Sequence, residues 1–305
     1  MNKLAIVIPF FKIDFFEETL KSVAAQTNKN FNLYIGNDAS INNPLPLIDK
    51  YFKKEDYQYF DYKENLGGKN LVLQWERILD NIQEEWFQIL GDDDMISENC
   101  VEAFYQSIPQ LKEEKISVLK FIHEWVDEHS RLIEIFDYDA DTINANDFII
   151  KKYKGEIKSS LSENIFLTKM YRKFGFEKIP LAWGSDDLAV FNFSNFNKIL
   201  YNRKAKVQVR ISSSSISGSE TINLEKSRAF NIFREKLIKK YSTYFIQDFI
   251  EEVIADYLYN CHKQKQHANY AVAAYFLRKP AILPFLKTIK KVYYINKIAN
   301  QYKMI

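Results

Sequence analysis

The run Trp86–Asp94, WFQILGDDD, sets an apolar strand against three adjacent carboxylates. Like charges repel, so a chain gains no stability by stacking Asp92, Asp93 and Asp94 side by side. What precedes the triplet shows where it sits. Leu4–Phe10 is a continuous apolar run containing Pro9, as expected of a strand buried on both faces. Phe31–Gly36 and Tyr57–Tyr62 read as the second and third strands, which makes Trp86–Leu90 the fourth. Between them, apolar residues recur at helical spacing over Asp14–Gln26, with Asp14 at the N-cap position, and over Asn70–Ile82; Leu45–Phe52 forms a short helix. A helix over Glu98–Leu111 and a strand over Ser117–Ile122 follow. This alternation predicts an α/β fold, a mostly parallel sheet flanked by helices.

In such sheets ligands bind beyond the carboxyl ends of the strands. The polar clusters fall there: NDAS (37–40) after strand two, ENLGGKN (64–70) after strand three and GDDD (91–94) after strand four. Three polar loops would converge on one edge. From Asp127 to Thr142 the pattern weakens, and 143–180 mixes helix and loop. PLAWGSDDLAVF (180–191) is a second place where acids follow apolar residues. Ala205–Ile211 alternates as a strand and runs into SSSSISGS (212–219), a polar, flexible stretch. Beyond Glu220 the chain reads as helices over 221–240, 243–262 and 267–278, then a basic and apolar segment to the end. The expected division is residues 1–218 and a helical region 219–305.

Composition excludes several classes. The chain has 305 residues, 47% hydrophobic and 27% charged, which is globular. A net charge of +2 demands no nucleic-acid partner. Two cysteines, Cys100 and Cys261, are too few for a disulfide framework and fit a reducing cytosol, so a cytoplasmic location is expected. The N-terminus is too short in apolar residues for a signal peptide, and no stretch approaches a membrane span.

Hard oxygen ligands suit Mg²⁺ or Mn²⁺, and substrate phosphates complete such sites. A divalent ion would cancel the repulsion within GDDD. The competing reading is a helix N-terminus, with Asp94 or Ser97 as a cap. Asp38 at the second strand's end could accept from a base N–H or a ribose hydroxyl, or could close an Asx-turn with Asn37. Gly67 and Gly68 permit close backbone approach, but ENLGGKN is neither a Walker motif nor GxGxxG. Lys69 could meet a phosphate or be a solvated helix-start lysine. Asp186 and Asp187, beside Trp183, could act as a general base with a tuned pKa, or Ser185 or Asp186 could cap a helix over Asp187–Phe193. The four histidines have no metal-ligand spacing on one helical face and read as structural, and no Ser-His-Asp or Cys-His order is present.

AIVIPFFK, IGNDAS, ENLGG, ILGDDD and WGSDDLA, in this order, resemble the family 2 glycosyltransferases of the GT-A fold, over about residues 1–215. The resemblance implies a nucleotide-diphosphate sugar donor, usually a UDP-sugar, bound across the sheet's carboxyl edge. It implies a contact of Asp38 with the base, since Asn37-Asp38-Ala39-Ser40 matches the family's Asp-Asp-Gly-Ser. Pro9 and Phe10 would line the same pocket, with Asn65, Gly67, Lys69, Asp92 and Trp183 around the donor. Mn²⁺ or Mg²⁺ would be held at Asp93, assisted by Asp94 or Asp92, because Gly91 stands where the family carries its first acid. A later Glu-Asp pair of the family matches Ser185-Asp186, which makes Asp186 the catalytic base, with Asp187 second. Where many relatives have a late metal-binding His, this chain offers Arg210 and serines 212–215. Arg210 could pair with the diphosphate or be an exposed strand residue. The implied reaction is inverting transfer to a saccharide or lipid-linked saccharide acceptor in cell-surface polysaccharide synthesis. The alternating Lys and apolar residues of 279–305 allow peripheral contact with the inner membrane face. Two rivals are a non-catalytic nucleotide-sugar-binding relative and a nucleotidyltransferase. The second wants a Gly-rich loop after strand one, and PFFKIDFF has no glycine.

Overall fold

A computed structural model describes residues 3–213, 215–219, 221–278 and 281–303. The chain divides into two compact units, Met1–Asn223 and Leu224–Ile305. The first is built on one sheet of strands β1 (Leu4–Phe10), β2 (Phe31–Asp38), β3 (Tyr57–Tyr62), β4 (Trp86–Ile89), β5 (Met95–Ile96), β6 (Val118–Val126), β7 (Leu132–Phe136), β8 (Thr142–Asn144), β9 (Asn164–Leu167) and β10 (Lys198–Arg210). Its order is β3-β2-β1-β4-β9-β6-β10-β5, with β7 beside β6 and β8 beside β10. The first four strands are parallel, in register Ile8↔Ile35 and Ile6↔Gln88, so all four end on one edge. This is the expected α/β fold.

β1 lies between β2 and β4, which is why its run is apolar on both faces: Leu4, Ala5, Ile6, Val7 and Ile8 have no solvent exposure. Helices α1 (Phe16–Ala24), α2 (Leu45–Tyr51), α3 (Leu71–Leu79) and α4 (Cys100–Glu113) fill the crossovers. α1 begins later than expected. Phe15 occupies its N-cap with no side-chain cap bond, so Asp14 does not cap it. α3 is capped by Asn70, whose side chain accepts from Val72 N–H. It lies so close to β2 that a Cβ on Gly36 would sit 2.4 Å from Ile78 Cδ1.

The second half of the sheet departs from the sequence reading. β9 falls within the region read as helix and loop, and runs antiparallel between β4 and β6. β10 starts at Lys198, well before the predicted Ala205. Helices α5 (Ala145–Tyr153), α6 (Thr168–Phe174) and α7 (Ser185–Phe193) complete this unit. The second unit holds α8 (Asn223–Lys236), α9 (Gln247–Lys263) and α10 (Ile282–Lys303). α8 passes into a π turn at Leu237–Tyr241, and the segment expected as a helix over 267–278 is a 3-10 helix at Tyr270–Arg278. Among the described residues no helix is long and apolar enough to cross a membrane.

Candidate active site

The loops after the parallel strands are stitched to one another by the polar residues the sequence singles out. Asp92 Oδ2 accepts from the N–H groups of Phe11 and Lys12, both at 2.7 Å, tying the loop after β4 to the loop after β1. Ser40 Oγ donates to the Phe11 carbonyl at 2.6 Å and ties in the loop after β2. Asp38 accepts from Leu66 N–H at 2.9 Å and Gly67 N–H at 2.8 Å, drawing in the loop after β3. A Cβ on Gly67 would meet Asp38 Oδ2 at 2.5 Å, so this approach needs glycine.

Within the triplet the three acids do different things. Neither Asp94 nor Ser97 caps α4: Asn99 stands at its N-cap with no side-chain capping bond. Asp94 is buried. It accepts from the Ser162 hydroxyl and, at 2.9 Å, from Arg210 N–H. A Cβ on Gly91 would come within 2.8 Å of Asp94 Oδ2, so the glycine leaves room for this turn. Asp93 is partly exposed, and no neighbouring side chain bonds its carboxylate among the described residues. Burial pushes all three pKa values up, that of Asp92 to about 7; the charge of Asp93 adds to the rise of Asp92 and Asp94, while Lys12 and Arg210 pull Asp93 itself back. The triplet therefore holds its protons more tightly than exposed carboxylates would.

The second acid pair opens α7. Its N-cap is Gly184, at φ 92°, again with no side-chain cap bond, so neither Ser185 nor Asp186 is a cap. The preceding Leu181 and Ala182 also have left-handed φ, 58° and 52°, which strains the approach to the pair. Asp187 is buried and accepts from Lys152 Nζ at 3.0 Å. Among the described residues Asp186 has no ion-pair partner of its own. Burial first, then the charge of Asp187, raise it to about 7, with Lys152 opposing.

The two acid groups are joined by Ser159–Glu163, which the sequence reading does not single out. At one end the Ser162 hydroxyl holds Asp94, and the Gly91 N–H donates to the same oxygen at 3.1 Å. At the other, the Ser159 carbonyl accepts from Lys152 Nζ at 2.8 Å, the ammonium that pairs with Asp187. Glu163 anchors the segment from below through an ion pair with Lys120 on β6, both with no solvent exposure. Burial pushes Glu163 up, but Lys120 and His123 bring it down to about 2, so the pair is ionic. Burial lowers His123 to about 4, and its ring stacks on Phe136 at 4.7 Å. A lysine inside the otherwise apolar VLKFI of β6 was the available signal.

The structure shows what the residues expected around the donor are engaged in. Phe10 is fully buried with its ring on Phe16 at 4.6 Å, so it serves the core rather than a pocket; Pro9 stays partly exposed at the edge. Asp38 is buried and committed to the loop after β3 and to the guanidinium of Arg77, which itself lies 3.8 Å over the Tyr62 ring. Asn65 accepts from Gly68 N–H within its own turn. Lys69 is exposed and paired with Glu64. Arg210 is neither exposed nor free. It is 1% exposed, and its guanidinium donates to the carbonyls of Asp93 and Asp127, to Glu18 at 2.8 Å and to Ser130 Oγ. Asp94 and Asp187, read as metal ligand and second base, are latched to protein donors instead. Trp183 is partly exposed, just before Gly184.

The family model described as "Glycosyl transferase family 2" matches residues 5–180, more than half of the chain. The chain belongs to glycosyl transferase family 2. The match ends before Trp183, Asp186 and Arg210, so these positions lie outside it. Among solved structures, this family 2 chain superposes on TarS residues 1–349 of S. aureus in complex with UDP-GlcNAc at a TM-score of 0.66, with 14% identity, covering 98% of this chain and 92% of that one. The mannosyltransferase PcManGT of Pyrobaculum calidifontis, in complex with GDP-Man and Mn²⁺, gives 0.56 at 8% identity, covering 99% and 87%. At such identities the likeness concerns the fold, which is GT-A. Among curated proteins, a teichoic acid poly(glycerol phosphate) polymerase of Staphylococcus epidermidis is 22% identical over 178 residues, 56% of this chain and 23% of the polymerase. Glycosyltransferase GlyG of Streptococcus pneumoniae is 22% identical over 112 residues, 35% of each chain. The matched part is thus about a quarter to a third of those relatives' length.

The residues present fit a divalent ion in part. Among the described residues no three His, Cys, Asp or Glu side chains form a metal-holding group. One unpartnered carboxylate, Asp93, and the second oxygen of Asp92 remain, which suits an ion whose other ligands are donor phosphates and water.

Proposed function

We propose that this chain transfers a sugar, with inversion, from a nucleotide-diphosphate donor, a UDP-sugar, to a saccharide or lipid-linked saccharide acceptor in cell-surface polysaccharide synthesis on the cytoplasmic side. One observation carries the reading. The unpartnered carboxylate of Asp93 and the unpaired, raised carboxylate of Asp186 stand on neighbours fixed by one segment, Ser159–Glu163. The UDP-GlcNAc held by TarS and the GDP-Man and Mn²⁺ held by PcManGT support a nucleotide-sugar donor and a metal.

In this reading residues 1–218 bind the donor and perform the chemistry, and 219–305 serve the acceptor side. Mn²⁺ or Mg²⁺, held by Asp93 with Asp92, would neutralise the departing diphosphate. Asp186 takes the proton of the acceptor hydroxyl as its oxygen attacks the anomeric carbon. A pKa of about 7 lets it be unprotonated in half the molecules at neutral pH and still be basic enough to accept. The nearby charge of Lys152 keeps that pKa from rising further. Asp38 holds the loop after β3 against the donor edge through the Leu66 and Gly67 N–H groups.

The test is Asp186→Asn. Sugar transfer should be lost while calorimetry shows donor binding within a few-fold of wild type. Near-wild-type turnover overturns the base. Hydrolysis of a nucleotide sugar with Mn²⁺ separates this reading from a non-catalytic binding relative, which would leave the donor intact. Release of pyrophosphate from a nucleoside triphosphate would indicate a nucleotidyltransferase.

A further inference from the structure

After Asp256 the chain contains no Asp or Glu, yet it carries nine Lys and Arg in its last 49 residues. With a total of +2, the 256 residues before Tyr257 are therefore net −7. So sharp a segregation marks the end of the chain for an anionic partner. The structure shows what kind. α10 packs on α9 and on the 3-10 segment Tyr270–Arg278, with Val292, Ile295 and Ala299 buried. Its opposite face, at the spacing i, i+3, i+4, i+7 from Leu283, carries Leu286, Lys287, Lys290, Tyr293, Tyr294 and Lys297, all exposed. Leu283 is 71% and Leu286 54% exposed. Lysines alternating with exposed leucines and tyrosines match the acyl boundary and the headgroups of a bilayer, whereas a nucleic-acid surface needs no exposed leucine. Tyr294 also helps line a cleft of about 300 Å³ between α9 and α10, with Leu258, Ile298, His262 and Lys291, an apolar recess beside cationic groups.

We infer that this face of α10 docks the protein on an anionic bilayer, with Leu283 and Leu286 in the acyl boundary and Lys287, Lys290 and Lys297 on the headgroups. The inference is independent of sugar transfer, which is read by donor turnover. The probe is flotation of the full chain with vesicles of phosphatidylcholine alone and of equimolar phosphatidylcholine and phosphatidylglycerol. The chain should float with the anionic vesicles only, and salt should release it. Changing Lys287, Lys290 and Lys297 to Gln should cut the partition coefficient about fivefold each, roughly a hundredfold together. L283N/L286N should weaken vesicle binding at least tenfold and leave retention on heparin unchanged. These positions are solvent-exposed, so the variants keep the fold, and unchanged donor turnover checks it. Equal flotation with both vesicle types, none with either, or a Lys triple variant that still floats would overturn the inference. So would an L283N/L286N variant that binds vesicles as wild type does, which would indicate a polyanion site without insertion.

Discussion

Replacing Asp186 by Asn should make the protein more stable at pH 8, the reverse of what a helix-capping acid would show. Asp186 lies in the first turn of α7, where the helix dipole favours negative charge by about 0.3–1 kcal/mol. Burial and Asp187 nevertheless raise its pKa from 3.8 to about 7. A folded pKa above the unfolded one means that the native state holds the proton more tightly. The stability this gives is fully present below pH 3.8 and is lost as pH rises toward 7. About three pH units at roughly 1.4 kcal/mol each set a ceiling near 4 kcal/mol. Asp186 is only partly buried, so solvent screening brings this to about 2 kcal/mol. Less the lost dipole interaction, the variant gains about 1–2 kcal/mol above pH 7, or about 3–6 °C in Tm for a domain this size. Thermal unfolding at pH 8 and pH 4 reads the difference, which should vanish at the acid end. A variant less stable than wild type at pH 8 refutes the reasoning, because the carboxylate would then be a stabilising charge on α7 and no base held out of equilibrium with its surroundings.

Lys152→Met leaves Asp187 buried without a counter-charge and should cost about 3–5 kcal/mol in urea unfolding, with Lys152→Arg restoring most of it. Ala39→Gly should stabilise by about 0.5–1 kcal/mol, since Ala39 sits at φ 56° where the resembling family has glycine; the left-handed penalty of about 1–2 kcal/mol outweighs the added unfolded-chain entropy. Unchanged or lowered Tm would mean that Ala39's methyl packs well enough to offset its conformation. A Mn²⁺-dependent rise in Tm is expected with UDP, and Asp93→Ala should abolish it while leaving the metal-free Tm near wild type. Asp94→Ala should instead lower the metal-free Tm, by about 1–3 kcal/mol of lost stability, because Ser162 and Arg210 N–H lose their acceptor.

The parallel half of the sheet was legible because its strands are buried on both faces, and continuous apolar runs such as Leu4–Phe10 have few other readings. The later strands were not. β9 is four residues long, too short for any period to declare itself, and β7 exposes Leu132, Ile133 and Ile135, so apolarity there does not mark a core face. At the site, the sequence placed the acids at the ends of the strands but did not give their partners. Asp93 and Asp94 are adjacent and identical, and only the fold shows that one is latched by Ser162 and Arg210 while the other meets no neighbouring side-chain donor among the described residues. Arg210 ends an alternating strand, and alternation does not tell which way a long side chain folds back. Lys120 and Lys152 are far from the acids in sequence, and their roles follow from Glu163 and Asp187, which only the crossing of β6, α5 and α7 brings near.

The Ser159–Glu163 segment has a consequence for how this chain can change. Surface connections ordinarily absorb added or lost residues at small cost, because closing a longer loop is cheap. This one is pinned at both ends, by Ser162 to Asp94 and by Ser159 to the lysine that holds Asp187, with Glu163 nailed to Lys120 beneath. Its length is thus a ruler for the gap between two carboxylate groups. A residue inserted between Ser159 and Ser162 would change none of the acids, yet it would reset the span across which anything bound there must fit.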